Sequence, residues 1–350
     1  MAFRKMRMLG LCLVALCAVT LSAASVQAED TVSLNGAGSS FQAPLQYKWI
    51  AEYQKTHPGV QLNYQSIWSG AGIRQVTAGT IDFGGTDGPM TTEQLGAFKD
   101  ARGAVCLHLP IALGAVMPTY NIPGVTAELK FTPAALAGIY LGEITKWDDP
   151  AIAGPNPDVK LPDNDIVVVH RSDGSGTTYT WTDYLSKISK TWQEKVGCGT
   201  SVRWPVGLGG KGNEGVSALV KQTPNAIGYV ELIYAIQNHI AYGEVQNAAG
   251  KFIKADLATT SAAAAGAAAN MPADFRVSIT NAPGDDTYPI VTFTWVMVPD
   301  HIANDGKRQA LIDYLKWALS TGQDYCQPLA YARVPKEVVE MEMKAIDTIK

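Results

Sequence analysis

The stretch from residue 32 to residue 45 reads Val-Ser-Leu-Asn-Gly-Ala-Gly-Ser-Ser-Phe-Gln-Ala-Pro-Leu. Its first three residues are a short strand candidate, and residues 35–41 form a turn rich in glycine and serine. A helix is expected next, because a proline suits a first helical turn and large apolar residues then recur at four-residue spacing. The residues at that spacing are Leu45, Trp49 and Tyr53. The helix is expected to end at residues 57–59, His-Pro-Gly.

The same unit of strand, glycine turn and helix occurs twice more along the chain. Residues 60–64 alternate as a strand and lead through residues 66–72 into a short helix. Residues 166–169 form an apolar, β-branched strand, which leads through residues 171–177 into a helix with an aromatic face. Strands that alternate with helices predict an α/β fold with mostly parallel sheets.

These turns also favour a binding function. Glycine lets the backbone approach a ligand closely, and the first amides of a helix point outward without internal partners, where the helix dipole favours negative charge. A single turn of this kind is usually only a helix cap. Three of them in one chain, one containing Arg171, instead favour an anion held by converging helix ends.

A fourth turn places an acid beside this expected site. After a strand candidate at residues 81–84, the chain reads Gly85-Thr-Asp-Gly-Pro89, and Thr91 and Gln94 form a capping box for the next helix. A carboxylate at Asp87 would repel an anion unless the ligand itself carries a proton. The sequence therefore favours a protonated anion.

Composition and motifs exclude several other classes. The 350 residues are 47% apolar and 17% charged, which rules out a disordered chain, and a formal charge of −4 argues against a general nucleic-acid binder. Residues 207–212 resemble a P-loop but lack the serine or threonine that must follow Lys211. Asp173 stands where a nucleophile elbow needs glycine. The histidines show no metal-ligand spacing, so neither a metal nor a cofactor is expected.

The N-terminus has the pattern of an export signal. Three basic residues precede an apolar run at residues 9–19, and small residues at 26 and 28 fit a cleavage site after Ala28. The alternative is a lipoprotein signal ending at Cys17, although Leu16 is large for that cleavage. Loss of residues 1–28 removes three basic residues and no acid, which changes the formal charge to −7.

Cysteine usage after such a cleavage leaves the redox state open. Cys106, Cys198 and Cys326 remain, and an odd number permits at most one internal disulfide. Buried thiols or a single disulfide are both compatible with the sequence.

Six stretches of the chain resemble one known family, the periplasmic phosphate-binding proteins of ABC phosphate transporters (the PstS family). They occur in family order over nearly all of residues 32–335. They are Gly36–Phe41, Asp82–Asp87, Ile139–Trp147, Arg171–Thr177, Trp204–Asn213 and Ala226–Val230. The resemblance implies a two-lobed type II periplasmic-binding-protein fold with the ligand in the cleft. With crossovers near residues 110–113 and 289–293, lobe one is expected to comprise residues 29–112 plus 289–350, and lobe two residues 113–288.

The resemblance also implies a phosphate site. The residues at matching positions are Ser39, Ser40, Phe41, Ser69, Asp87, Arg171, Asp173, Ser175, Gly176 and Thr177. In that correspondence Asp87 accepts the ligand's proton, Arg171 is the charged donor, and Asp173 orients Arg171. The other residues supply amides and hydroxyls. Two positions depart from the family pattern: Ser40 stands where threonine is common, and Trp68 stands where a small residue is common.

The function that follows is extracytoplasmic binding of inorganic phosphate and its delivery to the transmembrane subunits and ATPase of an ABC importer. The protein is expected to be a periplasmic monomer, not an enzyme, with no cofactor and no nucleic-acid partner. Two alternatives remain at the level of sequence: an exported phosphohydrolase or adhesion protein on the same scaffold, and a binder of another oxyanion such as sulfate or molybdate.

Overall fold

The structure, a computed structural model, describes residues 31–268 and 270–350. The expected signal segment, residues 1–28, lies outside the described residues. Over those two ranges, no helix combines the length and the apolar character that a bilayer crossing requires.

The N-terminal third alternates strands and helices, as the glycine turns predict. Its elements are β1 (Val32–Gly38), α1 (Ala43–Thr56), β2 (Val60–Ser66), α2 (Ser69–Ala78), β3 (Phe83–Thr86), α3 (Thr92–Arg102) and the long strand β4 (Cys106–Asn121). Pro44 lies in the first turn of α1, and Thr91 and Gln94 form the expected capping box of α3.

The central part of the chain carries shorter elements. They are β5 (Lys130–Phe131), α4 (Pro133–Leu141), α5 (Pro150–Ala153), β6 (Val167–Arg171), α6 (Gly176–Ile188), α7 (Lys190–Lys195), β7 (Leu208–Gly210), α8 (Gly212–Gln222), β8 (Ala226–Glu231), α9 (Leu232–Asn238), β9 (Ala241–Tyr242), β10 (Glu244–Gln246), β11 (Phe252–Ile253) and α10 (Leu257–Ala268). The chain then returns through β12 (Val291–Pro299) and ends with α11 (Asp305–Ala318) and α12 (Lys336–Ile346). Two short 3-10 helices, Thr321–Tyr325 and Gln327–Leu329, connect the last two α-helices.

The main sheet is mixed. Among the described residues its order is β2-β1-β3-β12-β4-β8-β6-β7, with β9 also paired to β4, and a small separate sheet has the order β11-β10-β5. The outer pairs β1–β2, β1–β3, β6–β7 and β6–β8 are parallel, whereas β12 and β8 run antiparallel to β4. The parallel pairs are joined by helical connections, as parallel neighbours require.

Strand β4 belongs to both halves of this sheet. Its residues 106–115 pair with β12, and its residues 116–121 pair with β8. Most of the strand is buried, so its sequence is an almost unbroken apolar run. One apolar core surrounds it and contains fully buried tryptophans at positions 49, 147, 181, 192 and 295.

Several strand boundaries differ from the sequence-based expectation, and those of β1 and β3 have a clear physical reason. Strand β1 continues through the glycines to Gly38, because Gly36–Gly38 pair with β3, and a Cβ on Gly36 would lie 2.2 Å from the ring of Phe83. The glycines there make room for a neighbouring strand as well as forming a turn. Strand β3 begins at Phe83 and not at Ile81, since the carboxylate of Asp82 accepts a hydrogen bond from the Asn35 amide and pairs with Lys307.

The three cysteines of the described chain are free thiols. Cys106 and Cys326 are buried and Cys198 is exposed. Burial raises the pKa of the Cys326 thiol to about 12, which keeps it protonated. Of the two states that the sequence leaves open, the structure has reduced thiols.

Candidate functional site

The N-termini of α2 and α6 lie directly against each other. Ser69, the first residue of α2, accepts a hydrogen bond on its hydroxyl from the amide of Gly176, the first residue of α6, at 3.1 Å. The amide of Gly70 donates to the carbonyl of Gly174 at 2.8 Å. A Cβ on Gly70 would lie 3.2 Å from the Cα of Gly174, so glycine at both positions permits this approach. Two of the predicted turns therefore meet.

Asp87 lies at the centre of this convergence and is 1% exposed. The hydroxyl of Ser39 is 2.6 Å from both oxygens of its carboxylate, and the hydroxyl of Ser69 donates to Oδ2 at 3.4 Å. The hydroxyl of Thr294, on β12, donates to Oδ1 at 2.7 Å. A Cβ on Gly176 would lie 2.6 Å from Oδ2, so only glycine fits against this carboxylate. Residues from all three glycine turns therefore surround the carboxylate of Asp87, which belongs to the fourth turn.

Burial raises the pKa of Asp87 to about 6. Hydrogen bonds from Ser39 and Thr294 and the positive charge of Arg171 act in the opposite direction, because each favours the charged form. Desolvation outweighs these interactions. Asp87 is consequently a carboxyl group that can exchange its proton close to neutral pH.

Arg171 supplies the positive charge of the site. It is the last residue of β6, and its Nε and Nη2 donate to the two oxygens of Asp173 at 2.8 and 2.5 Å. Their side chains are 1% and 4% exposed, which makes this a buried, bidentate ion pair. The amide of Gly212 also donates to Asp173 Oδ1, at 2.9 Å. This arrangement fixes the plane of the guanidinium while its Nη1 reaches Thr177 Oγ1 at 3.2 Å.

Ser40 and Thr177 are joined by a residue that the sequence analysis did not single out. The side-chain amide of Asn213 donates to the hydroxyl of Ser40 at 3.1 Å and to that of Thr177 at 3.3 Å. Its backbone amide also donates to Ser40 Oγ, at 3.2 Å. Asn213 is fully buried in the first turn of α8, so a further helix N-terminus joins the site.

Phe41 and Ser175 contribute differently from the other candidates. The ring of Phe41 is buried in the core, and its amide donates to Ser39 Oγ at 2.9 Å. The hydroxyl of Ser175 caps α6 by accepting from the Thr178 amide at 3.0 Å. The amide of Ser175 is used by the Thr200 carbonyl. The amide of Phe41 therefore stabilises the first turn, and Ser175 serves as the N-cap of α6 next to Gly176.

All ten predicted site residues therefore lie in one connected region, and the side chains of Asn213 and Thr294 bond to it as well. Thr294 could not be found from local sequence, since it lies in the interior of an ordinary apolar strand. Asn213 did carry a signal: it ends the stretch Trp204–Asn213, in which a glycine-rich segment precedes a helix. In that stretch residues 207–212 fail as a nucleotide-binding loop, and the stretch as a whole is one of the six that resemble the PstS family, but neither observation predicts a role for Asn213.

Trp68 directly precedes Ser69, the first residue of α2. It has a φ of 72°, a conformation that bulky residues rarely adopt. The ammonium group of Lys211 lies 5.9 Å from the centre of its ring. A Cβ on Gly212 would lie 3.0 Å from the indole nitrogen. The indole thus lies against the loop that precedes α8.

Comparison with known proteins agrees with the resemblance read from the sequence. A family model described as the PBP superfamily domain matches residues 25–321. The phosphate-binding protein PstS of Xylella fastidiosa (strain Temecula1) is 43% identical over 317 residues, which cover 90% of this chain and 85% of that protein. PstS of Pasteurella multocida is 43% identical over 309 residues, which cover 88% of each chain.

A solved structure shares the fold. The high-affinity periplasmic phosphate-binding protein PfluDING, bound with phosphate, superposes with a TM-score of 0.71 at 20% identity, covering 89% of this chain and 93% of that one. The predicted α/β, two-lobed fold class is thereby confirmed. On the strength of the family model and of relatives matched over most of their length, this chain belongs to the PBP superfamily and, within it, to the PstS family of phosphate-binding proteins.

Proposed function

We propose that this protein binds inorganic phosphate between its glycine turns and delivers it to an ABC-type importer. One observation carries the proposal: hydroxyls, helix N-termini and one guanidinium converge on the buried carboxyl of Asp87. The donors suit a tetrahedral oxyanion, and the carboxyl of Asp87, unlike that of Asp173, is not paired with a guanidinium and so suits a ligand that carries a proton. The residues proposed to hold it are Ser39, Ser40, Phe41, Ser69, Asp87, Arg171, Asp173, Ser175, Gly176 and Thr177.

The preference for phosphate over sulfate would follow from whether the ligand has a proton to donate to Asp87. Near neutral pH phosphate retains at least one proton, which it can donate to an ionised Asp87, whereas sulfate has none. Sulfate would leave two bare oxygens facing each other in a closed, dry site. Such an unpaired contact costs on the order of a few kcal/mol, which corresponds to a selectivity of about 100-fold or more.

Calorimetry on the mature protein tests the proposal. Titration with phosphate at pH 7.5 should show tight, one-to-one binding, and titration with sulfate should show binding weaker by about 100-fold or more. The affinity for phosphate should depend only weakly on salt, because the net charge gives no long-range attraction. Equal affinities for the two ions would contradict the role given to Asp87, and no binding of phosphate would refute the function itself.

The pH dependence of sulfate binding follows from the raised pKa of Asp87. Its pKa of about 6 lies above the ordinary value of 3.8, so the folded state holds the proton more tightly than the unfolded state does. The contribution of this group to the free energy of unfolding therefore falls as the pH rises from about 4 to about 6. In the folded protein Asp87 is therefore mostly protonated below about pH 6, and it can then donate to sulfate.

Sulfate affinity should accordingly rise by roughly tenfold or more between pH 7.5 and pH 5. Phosphate affinity should change much less. One proton lies between the carboxyl and the ligand in either case, whether phosphate donates it to an ionised Asp87 or a protonated Asp87 donates it to phosphate. Competition titrations at several pH values measure both constants. A sulfate affinity that stays constant over this range would contradict the proton-acceptor role.

We propose further that binding closes two lobes, residues 29–112 plus 289–350 and residues 113–288. The pairing of β4 supports this division, since the strand changes partner from β12 to β8 between Ala115 and Val116. Ligand contacts to both sides would favour the closed arrangement. The change of partner suggests that the first crossover lies a few residues later than residue 112.

Delivery to a permease completes the proposal. The relatives are named phosphate-binding proteins, so we propose a binding protein and not an enzyme, acting as a periplasmic monomer after removal of residues 1–28. Its partners would be the transmembrane subunits and the ATPase of the importer. Phosphate-dependent stimulation of that ATPase by the pure protein is the measurement that checks this step.

A further inference from the structure

Two hydroxyl groups of the site, those of Ser40 and Thr177, have their lone pairs occupied. Ser40 Oγ accepts from the backbone amide and from the side-chain amide of Asn213, at 3.2 and 3.1 Å. Thr177 Oγ1 accepts from Arg171 Nη1 at 3.2 Å and from the same Asn213 amide at 3.3 Å. A hydroxyl oxygen has two acceptor positions and one donor hydrogen. Each of these oxygens is therefore saturated as an acceptor.

The hydrogen of each hydroxyl remains available. Within residues 31–268 and 270–350, neither Ser40 Oγ nor Thr177 Oγ1 donates to a protein acceptor, although both residues are about 1% exposed. A buried hydroxyl hydrogen without a partner is costly, so it needs an acceptor in the site itself. With their acceptor positions filled, both groups can interact with a ligand only as donors.

The hydroxyls of Ser39 and Ser69 are held in the opposite way. Ser39 and Ser69 direct their hydrogens to the carboxylate of Asp87. The hydroxyls of Ser39 and Ser69 thus donate to the Asp87 carboxylate. The hydroxyls of Ser40 and Thr177 instead accept from donor groups of the site. The carboxamide of Asn213 makes this difference, because its NH2 group lies between the Ser40 and Thr177 oxygens.

We propose that Asn213 is a positioning residue that fixes the polarity of the anion site: it forces the hydroxyls of Ser40 and Thr177 to act as hydrogen-bond donors. This rests on the proposed phosphate-binding function and adds to it. Asn213 is itself well held, because it is fully buried and its Oδ1 accepts from the amide of Glu231 at 3.1 Å. Its NH2 group is thereby oriented toward the two hydroxyls.

A mutant cycle tests whether Asn213 acts through these hydroxyls. Phosphate affinity is measured by calorimetry for the wild type, Asn213→Ala, the double variant Ser40→Ala/Thr177→Val, and the triple variant. Asn213→Ala should weaken phosphate binding by about tenfold in the wild-type background, as expected for two neutral hydrogen bonds lost. In the background without the two hydroxyls the same change should cost less than about twofold. An equal loss in both backgrounds would overturn the proposal.

Asn213→Asp distinguishes polarity from packing. The aspartate has the same shape and keeps the acceptor for the Glu231 amide, so a purely structural role predicts a milder effect than that of alanine. Our proposal predicts the reverse, with phosphate binding weakened by about 100-fold or more, since the hydroxyls would donate to the new carboxylate and away from the ligand. If Asn213→Ala fails to fold, the Asn213→Asp variant provides the test. A phosphate affinity of Asn213→Asp within a few-fold of the wild type would overturn the proposal.

Asn156→Ala is the matched control. Asn156 is also buried, and its amide donates to the carbonyls of Lys130 and Ile152, with no contact to the site. It should lower the melting temperature without changing phosphate affinity by more than about twofold. The two proposals fail in different ways: a wild type that does not bind phosphate refutes the function, whereas a wild type that binds with additive mutant effects refutes only the role of Asn213.

Discussion

Replacing Asp87 by asparagine is expected to reduce the preference for phosphate over sulfate by about 100-fold. Asparagine keeps the shape of the side chain and one oxygen that can accept from Ser39 and Thr294. Its NH2 group can donate to an unprotonated oxyanion, so the mismatch with sulfate disappears. Phosphate loses the acceptor for its proton and should bind more weakly. Calorimetric titrations of both ions at pH 7.5 give the ratio of affinities directly.

Asp165→Asn is a suitable control for the loss of one negative charge. Asp165 carries a side chain that is 84% exposed and lies near Lys146 on the surface. Its replacement should leave both affinities unchanged. Sulfate rejection that persists in the Asp87→Asn variant would show that selectivity originates elsewhere in the site. The pH dependence of sulfate binding should also be absent from that variant, since the group that titrates has been removed.

Replacing Arg171 by methionine is expected to weaken phosphate binding by about 1,000-fold or more. The change removes the positive charge of the site together with charge-assisted hydrogen bonds worth about 1.5–3 kcal/mol each. It also leaves Asp173 as a buried anion close to the ligand. Breaking a buried pair in this way costs about 3–5 kcal/mol of folding free energy. Affinity is measured by calorimetry and stability by denaturant unfolding.

The double variant Arg171→Met/Asp173→Asn separates these two effects. Neutralising Asp173 should restore most of the free energy of unfolding, because no uncompensated charge remains buried. It should not restore tight phosphate binding, since the guanidinium is still absent. Recovery of binding in the double variant would mean that Arg171 serves only to neutralise Asp173. Lys146→Met, which breaks the exposed pair with Asp163, should leave the free energy of unfolding nearly unchanged.

Local sequence patterns were sufficient to predict the α/β fold and the turns of the site. The spacing of Leu45, Trp49 and Tyr53 predicted the buried face of α1, and all three are buried. The turns before α1, α2 and α6 were recognisable because their glycines and serines are contiguous in the chain. Their convergence was harder to predict, since it depends on which strands are neighbours in the sheet.

The contributions of Thr294 and Asn213 illustrate what local patterns omit. Thr294 reaches Asp87 only because β12 lies beside β3 in the sheet, a pairing between residues about 200 positions apart. Asn213 directly follows residues 207–212, which fail as a nucleotide-binding motif, and no site role is predicted for it from sequence, although its amide reaches two site hydroxyls. The end of β1 was misjudged for a related reason, because glycine can mark a turn or a place where another strand lies close.

The hydrogen bond between the Gly70 amide and the Gly174 carbonyl influences which substitutions this protein can tolerate during evolution. Both atoms belong to the main chain, so most point mutations leave the bond's chemistry intact and can disturb it only by adding bulk. Of the twenty amino acids, only proline at position 70 would delete the donor. The side chains around these two helix starts can therefore vary while the bond between the two main chains is retained.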